Sequence, residues 1–134
     1  MAYSSLLTVD LIRQRLVADF ETGEIRWRWR PAHLFRGKTE EIRASYQKRW
    51  NARYAGTKAL NFDVNGYRSG VISGMAISAH RAIWALAHND LPLQDVDHIN
   101  RDKSDNRLCN LRLVNNRQNQ ANIPGRKGTS RYKG

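Results

Sequence analysis

The chain has 134 residues and a formal net charge of +11, with 23 lysines and arginines against 12 aspartates and glutamates. This length fits one domain with a real core, and the charge favours a polyanionic partner, nucleic acid first and an anionic membrane second. No apolar run reaches the roughly 18 residues of a membrane span, and residues 1–10 lack signal-peptide features, which predicts a soluble intracellular protein. The single cysteine, Cys109, excludes an internal disulfide and a cysteine-rich zinc site.

The N-terminal segment predicts an amphipathic helix. Thr8 can cap it, and Val9, Ile12, Leu16 and Phe20 then recur at steps of three and four.

The stretch "EIRWRWRP" predicts a strand with two different faces. An apolar row alternates along it with a basic row: Ile25, Trp27 and Trp29 against Arg26, Arg28 and Arg30. Either the indoles face the core and the arginines are merely solvated, or the arginines contact phosphates.

Three further elements are predicted before residue 95. "EEIRASYQKRWNARYAG" can form a short basic helix, with Ile42, Tyr46 and Arg49 or Trp50 on one side. The Asn65-Gly66 turn signal predicts a hairpin whose second strand is Tyr67–Ile72. A compact core helix is predicted within "MAISAHRAIWALAHND", including Ile77 and His80 and ended by Asn89 and Pro92. His80 on that helix is more typical of a core residue than of a site residue.

The C-terminal part predicts a ββα unit. "DVDHI" and "NLRLV" are strand-like, "NRDKSDNR" is a polar loop, and "NNRQNQANI" is a short helix. We therefore expect an α+β fold: one small mixed domain over residues 1–123, with an N-terminal helix, short antiparallel hairpins and a ββα core at about 95–123. Residues 124–134 are expected to be a basic tail or linker.

Four side chains of this unit could support phosphodiester hydrolysis: Asp97, His98, Asn110 and Asn119. Asp97 and Asn119 offer hard oxygen ligands that suit magnesium better than zinc. An imidazole has an ordinary pKa of about 6.5, so His98 can accept a proton from water near neutral pH. Because neighbours on a strand point to opposite faces, Asp97 and His98 can share a site only where the strand ends. Asn110 could tie the following loop through backbone groups.

The stretch "VDHINRDKSDNRLCNLRLVNNRQNQAN" resembles the HNH (ββα-metal, or His-Me finger) endonuclease motif of phage and homing-type enzymes. DHIN, DNR, NLR and QNxxN occur in the order of that motif. Upstream, "TGEIRWRWRP", "GYRSGVI" and "AHRAIWAL" are similar to the region that precedes it, whereas residues 34–61 are not covered.

The resemblance implies a role for each matching residue. His98 matches the general base and Asp97 the metal ligand before it, while Asn110 matches the central asparagine that braces the loop and orients the base. Asn119 matches the helical metal ligand, with asparagine in place of the usual final histidine. The resemblance also implies one divalent cation, magnesium or manganese, and no structural zinc. The final "GTSRYKG" also resembles the opening of an ethylene-response-type DNA-binding domain, so the chain would end where such a module begins.

The predicted partner is double-stranded DNA, with monomer or homodimer and nicking or double-strand cleavage left open. The resemblance points to a phage-encoded protein. Basic residues predicted to contact phosphates flank the site or lie on the arginine strand: Arg101, Lys103, Arg107, Arg112, Arg117, Arg26 and Arg28. The alternatives are a catalytically silent nucleic-acid-binding protein of the same fold and, more remotely, a basic structural or RNA-associated protein.

Overall fold

The computed structural model describes residues 7–115, which form a mixed α+β fold with three α-helices and three small antiparallel sheets. This confirms the predicted fold class. The elements in chain order are α1 Val9–Arg15, β1 Leu16–Asp19, β2 Glu24–Trp27, a 3-10 helix Ala32–Leu34, α2 Glu40–Tyr54, β3 Phe62–Val64, β4 Tyr67–Ile72, β5 Met75–Ser78, α3 Ala79–His88, β6 Asp95–His98, a 3-10 helix Leu108–Asn110, and β7 Leu111–Val114. The helix of the expected ββα unit lies outside the described residues.

Helix α1 is shorter than the sequence predicted. Thr8 caps it, accepting a hydrogen bond from the amide of Leu11 at 3.1 Å. The helix ends at Arg15 and the chain becomes extended at Leu16, which pairs with Trp27 of β2. The prediction of a helix through Phe20 was therefore wrong, because β1 gains a hydrogen-bonded partner in β2 that a continued helix would lose.

Strand β2 stops before the predicted row of indoles and arginines is complete. It ends at Trp27, and Trp29 lies beyond it with 62% of its surface exposed. Arg30 turns back instead and places its guanidinium 3.9 Å from the ring centre of Trp50 on α2. The predicted core-facing row is thus limited to Ile25 and the partly buried Trp27.

Helix α2 forms as predicted and is held to the body by its aromatic side. Thr39 caps it through the amide of Ile42. Trp50 packs edge-on against Trp27, with ring centres 5.9 Å apart. The side chain of Asn51 bonds both the amide and the carbonyl of Arg30, at 2.8 and 2.9 Å, and so fixes the chain after β2.

Strands β3, β4 and β5 form the second sheet in that order. The predicted hairpin is confirmed, since Asn65 and Gly66 both have the positive φ that a tight turn requires. Strand β5 was missed: Ile77 belongs to it and pairs with Gly70, rather than lying on the helix. Helix α3 follows directly and ends at His88, with Asn89 as its C-cap, which confirms the predicted helix end; Asn89 has a left-handed conformation.

Helix α3 lies at the centre of the core and contacts α1, β4, β5 and β6. Ala82, Ile83 and Ala85 are fully buried, and so are Ile12 of α1 and Val96 of β6. This packing fixes β6 against the interior, and β6 pairs with β7 to form the third sheet. None of the helices within residues 7–115 has the length and apolarity to cross a membrane.

Candidate active site

His98 is the last residue of β6 and lies opposite Leu111 of β7. Side chains alternate along β6, so Val96 and His98 face the interior. His98 is 4% exposed, and its ring centre lies 4.7 Å from that of His80 and 6.0 Å from that of Tyr67. The imidazole is therefore held by packing at the end of the strand.

Asn110 ties the loop that follows His98. Its Oδ1 accepts from the amide of Asn100 at 3.0 Å, and its Nδ2 donates to Asn100 Oδ1 and to the carbonyl of Asp105, each at 2.9 Å. The side chain is 5% exposed, so these bonds are shielded from water. They are the loop contacts that the sequence predicted for Asn110, whose part in catalysis stays a prediction.

Asn106, rather than Asn110, contacts the ring of His98. Its Oδ1 lies 2.8 Å from His98 Nε2, and the residue is 4% exposed. An amide oxygen only accepts, so Nε2 carries the ring proton in the neutral imidazole and Nδ1 keeps a lone pair. The sequence analysis did not predict this contact, because nothing in a run of asparagines marks which of them faces a ring.

The β1–β2 turn supports the segment that carries Asn106. Leu108 donates from its amide to the carbonyl of Phe20 at 2.9 Å. Gly23, at φ +81°, approaches so closely that a Cβ atom there would lie 2.6 Å from the carbonyl carbon of Asn106 and 2.7 Å from the amide nitrogen of Arg107. No local pattern in the sequence indicates this contact.

Asp97 lies on the opposite face of β6 from His98, because the strand remains regular through both residues. Its carboxylate accepts from Arg112, its partner on β7, with Oδ2 3.1 Å from Nη2. The side chain of Asp97 is 37% exposed and that of Arg112 is 57% exposed, so this ion pair is open to solvent and weak. The sequence argument let Asp97 and His98 share a site only where the strand ends, but β6 pairs regularly through both residues, so the described structure directs the two side chains to opposite faces and does not bring them together.

The chemistry of the donors, rather than a preformed cluster, favours a hard cation. Within residues 7–115 no group of three or more His, Cys, Asp or Glu side chains could hold a metal ion. Asp97 is a hard oxygen donor that solvent and an ion can reach. The second predicted ligand, Asn119, lies outside the described residues. A single carboxylate fits an ion that completes its shell with water and substrate oxygens, and it does not fit a structural zinc site.

Two predicted phosphate contacts from the N-terminal part have roles within the fold. Arg26 donates to the carbonyl of Gly56 at 2.9 Å and to Glu24 at 3.1 Å. Arg28 places its Nε 3.0 Å from the carbonyl oxygen of Leu16, across the β1–β2 pair. Both residues remain exposed, but these bonds explain the basic row without nucleic acid.

Two loop cations are also engaged. Lys103 donates to the carbonyl of Asn65 at 3.1 Å, and its Nζ lies 4.7 Å from the ring centre of Tyr67. Arg107 forms two hydrogen bonds of 2.8 Å to the carboxylate of Asp105. Those bonds are the main reason that the pKa of Asp105 falls from 3.8 to about 2. Both contacts shape the loop.

Arg101 is the predicted phosphate contact that the fold uses least. It begins the loop in a left-handed conformation, φ +69°, with its amide donating to the carbonyl of His98 at 3.0 Å. Its side chain is exposed, and no ion pair or hydrogen bond of its guanidinium to another residue of 7–115 is present. Arg117 lies outside the described residues. Among the predicted phosphate contacts within residues 7–115, Arg101 is thus the one whose side chain is most available to a phosphate.

Residues 78–121 match the family model of an HNH endonuclease. The match begins at the end of β5 and includes α3, both strands of the β6–β7 hairpin and the whole intervening loop. No curated protein and no solved structure matches the chain.

Proposed function

Because the chain belongs to the HNH endonuclease family, we propose that it is a metal-dependent DNA endonuclease with His98 as the general base. The contact between His98 Nε2 and Asn106 Oδ1 carries this proposal. It leaves the Nδ1 lone pair of a fixed neutral imidazole as the group that can accept a proton from water.

In the proposed reaction, a water oxygen attacks the phosphorus atom while His98 takes a proton from that water. The bond between phosphorus and the leaving deoxyribose oxygen then breaks. A bound divalent cation, held by Asp97 and Asn119, would neutralise charge on the phosphate and on the leaving oxygen. Asn106 holds the imidazole in one tautomer, and Asn110 holds the loop that presents Asn106.

The proposed substrate is double-stranded DNA, and the proposed cation is magnesium, with manganese as a substitute. The net charge of +11 supports a polyanionic substrate. Arg101 supports it more locally, because its amide bonds the carbonyl of His98 and its exposed side chain could offset the extra charge of the transition state. The remaining described cations, Lys103, Arg107 and Arg112, could add phosphate contacts through their positive charge.

A plasmid assay tests the proposal. Supercoiled plasmid is incubated with the protein and magnesium, with and without chelator, beside His98→Ala. His33→Ala is the matched control, since His33 is an exposed histidine outside the site. We expect metal-dependent cleavage that the control keeps and His98→Ala loses, with DNA binding retained in both.

Persistent cleavage by His98→Ala would exclude His98 as the base. Absence of cleavage with magnesium, manganese, nickel and zinc, together with salt-dependent DNA binding, would instead establish the alternative, a nucleic-acid-binding protein without catalytic activity. The same gel distinguishes nicked from linear product and so reports whether one strand or both are cut.

A further inference from the structure

A second cleft lies between β2, helix α2 and the sheet of β3, β4 and β5. Its volume is about 870 Å³. Four aromatic residues line it: Trp27, Trp50, Tyr54 and Phe62. No residue of β6, its loop or β7 lines it, so it is distinct from the site around His98.

Two arginines, Arg15 and Arg30, line this aromatic cleft, and none of the described residues that line it is an aspartate or glutamate. The Nε atoms of both are buried, with no hydrogen-bond partner within the described residues. Burial, and secondarily the charge of Arg15, lowers the pKa of Arg30 to about 10. Arg30 gains stabilisation from the ring of Trp50 at 3.9 Å, but neither guanidinium forms an ion pair with a carboxylate of residues 7–115.

Two neighbouring cations, half removed from water and without a counterion, are unfavourable unless an anion completes the site. A phosphate suits them, since guanidinium groups bind phosphate through paired N–H donors. The aromatic wall adds a second requirement. Phe62 is 77% exposed on strand β3, and a wall of this kind gains most from a flat ring that can stack on it.

A phosphate joined to a flat ring is a nucleotide. Bases within a duplex are already stacked on both faces, whereas unpaired bases leave their faces free. We infer that the aromatic cleft binds a single-stranded stretch of DNA, with a phosphate at Arg15 and Arg30 and a base stacked on the wall that ends at Phe62.

The position of the cleft relates it to the candidate active site. Residues 58–61 line both the aromatic cleft and a smaller one of about 340 Å³, which Gly23 and Asn106 also line. A DNA strand that leaves the aromatic cleft over residues 58–61 would therefore run toward Asn106, the residue that contacts His98. This inference rests on the proposed function only in taking DNA as the ligand, because binding there does not require cleavage.

The test measures binding of a short fluorescein-labelled oligothymidylate by fluorescence anisotropy, in chelator, so that no cleavage occurs. The variants are Phe62→Ala and Arg15→Gln. Their matched controls are Leu93→Ala, which removes a 99% exposed apolar side chain, and Lys48→Gln, which removes an exposed charge from α2. Thermal unfolding of each variant verifies that it is folded.

We expect Phe62→Ala to weaken binding about tenfold, as loss of one stacking contact does. Arg15→Gln should weaken it as well and reduce the salt dependence by about one phosphate contact. Both controls should stay within about twofold of the parent chain. The inference is overturned if the cleft variants bind as the controls do, or if duplex binding weakens as much as single-strand binding. Plasmid cleavage is scored separately, so failure of either proposal leaves the other testable.

Discussion

His98 Nε2 lies 2.8 Å from Asn106 Oδ1, and both side chains are at most 4% exposed. The buried amide therefore sets the tautomer of the ring. We expect Asn106→Ala to lower the cleavage rate about 10- to 100-fold, the usual loss when a residue that orients a reactive group is removed. The effect should lie in kcat, with KM little changed, because Asn106 does not contact DNA in the proposed mechanism.

Asn106→Asp separates orientation from stability. It keeps an oxygen acceptor for Nε2, so it should recover part of the rate that Asn106→Ala loses. Cleavage kinetics and urea unfolding are measured on both. An alanine variant that cleaves DNA at the parental rate while folded would show that the contact does not position the base.

Gly23 provides a second test of the same segment, because it packs against the backbone of Asn106. Gly23→Ala introduces a Cβ atom at 2.6 Å from that backbone, so the turn or the loop must move. Gly56→Ala is a matched control: its φ of +82° equals that of Gly23 within a degree, but nothing lies within 4 Å of the added atom.

Both glycine substitutions should cost about 1–2 kcal/mol from the positive φ. Gly23→Ala should cost more in urea unfolding and should also slow plasmid cleavage about tenfold or more, since small displacements of catalytic groups are expensive. Equal losses of stability and unchanged cleavage in the two variants would remove the β1–β2 turn from the support of the site.

Local signals explain what the sequence predicted well. The Asn65-Gly66 turn, the Thr8 cap of α1 and the end of α3 at Asn89 are each decided within a few residues. The same holds for the loop bonds of Asn110, which join groups at most ten residues apart. Such features depend on the backbone preferences of single residues and on hydrogen bonds between residues close in sequence, so a short stretch of sequence is enough to predict them.

Tertiary pairing explains what the sequence did not predict. Leu16 continues the helical spacing from Ile12 and is buried, yet it lies in β1 because β2 is available as a partner. Ile77 is part of β5 for a similar reason, opposite Gly70. The role of Asn106 depends on contacts among three separate segments: β6 with His98, the loop with Asn106, and the β1–β2 turn with Gly23. No local sequence pattern predicts those contacts.

The Asp105–Arg107 pair makes the free energy of unfolding depend on pH in the acid range. The two hydrogen bonds from Arg107 hold the pKa of Asp105 near 2, below its ordinary 3.8. A carboxyl with a lowered folded-state pKa stabilises the protein above its unfolded-state pKa, and this stabilisation is lost as the pH falls through the folded-state value. The contribution is therefore complete above about pH 5 and disappears between about pH 4 and pH 2.

Urea unfolding across this pH range tests whether the Asp105–Arg107 pair contributes this pH-dependent stability. The difference in free energy of unfolding between the parent chain and Asp105→Asn should be constant from about pH 7 to pH 5 and shrink toward zero near pH 2. Asp90→Asn is the control, because Asp90 is exposed and has no ion pair within residues 7–115. A difference that does not change with pH would show that Arg107 adds no charge-dependent stability.

The Asp97–Arg112 ion pair predicts how the chain responds to divalent cations. If Asp97 is a metal ligand, as proposed, then Arg112 competes with the cation for the same carboxylate, at 3.1 Å. Removing a solvent-exposed partner changes stability by no more than about 1 kcal/mol. Arg112→Gln should therefore leave urea unfolding nearly unchanged but lower the magnesium concentration needed for half-maximal plasmid cleavage.

Asp97→Asn should shift the same titration in the opposite direction, because it removes the charged ligand and leaves a weaker amide oxygen. Arg26→Gln, which removes a comparable ion pair far along the chain, should not shift it. If Arg112 instead serves mainly as a phosphate contact, Arg112→Gln will weaken DNA binding in chelator without moving the magnesium midpoint. That result would argue against Asp97 as a metal ligand and in favour of Arg112 as a DNA contact. The magnesium midpoint measured for Arg112→Gln therefore decides whether Arg112 competes with the cation or binds phosphate.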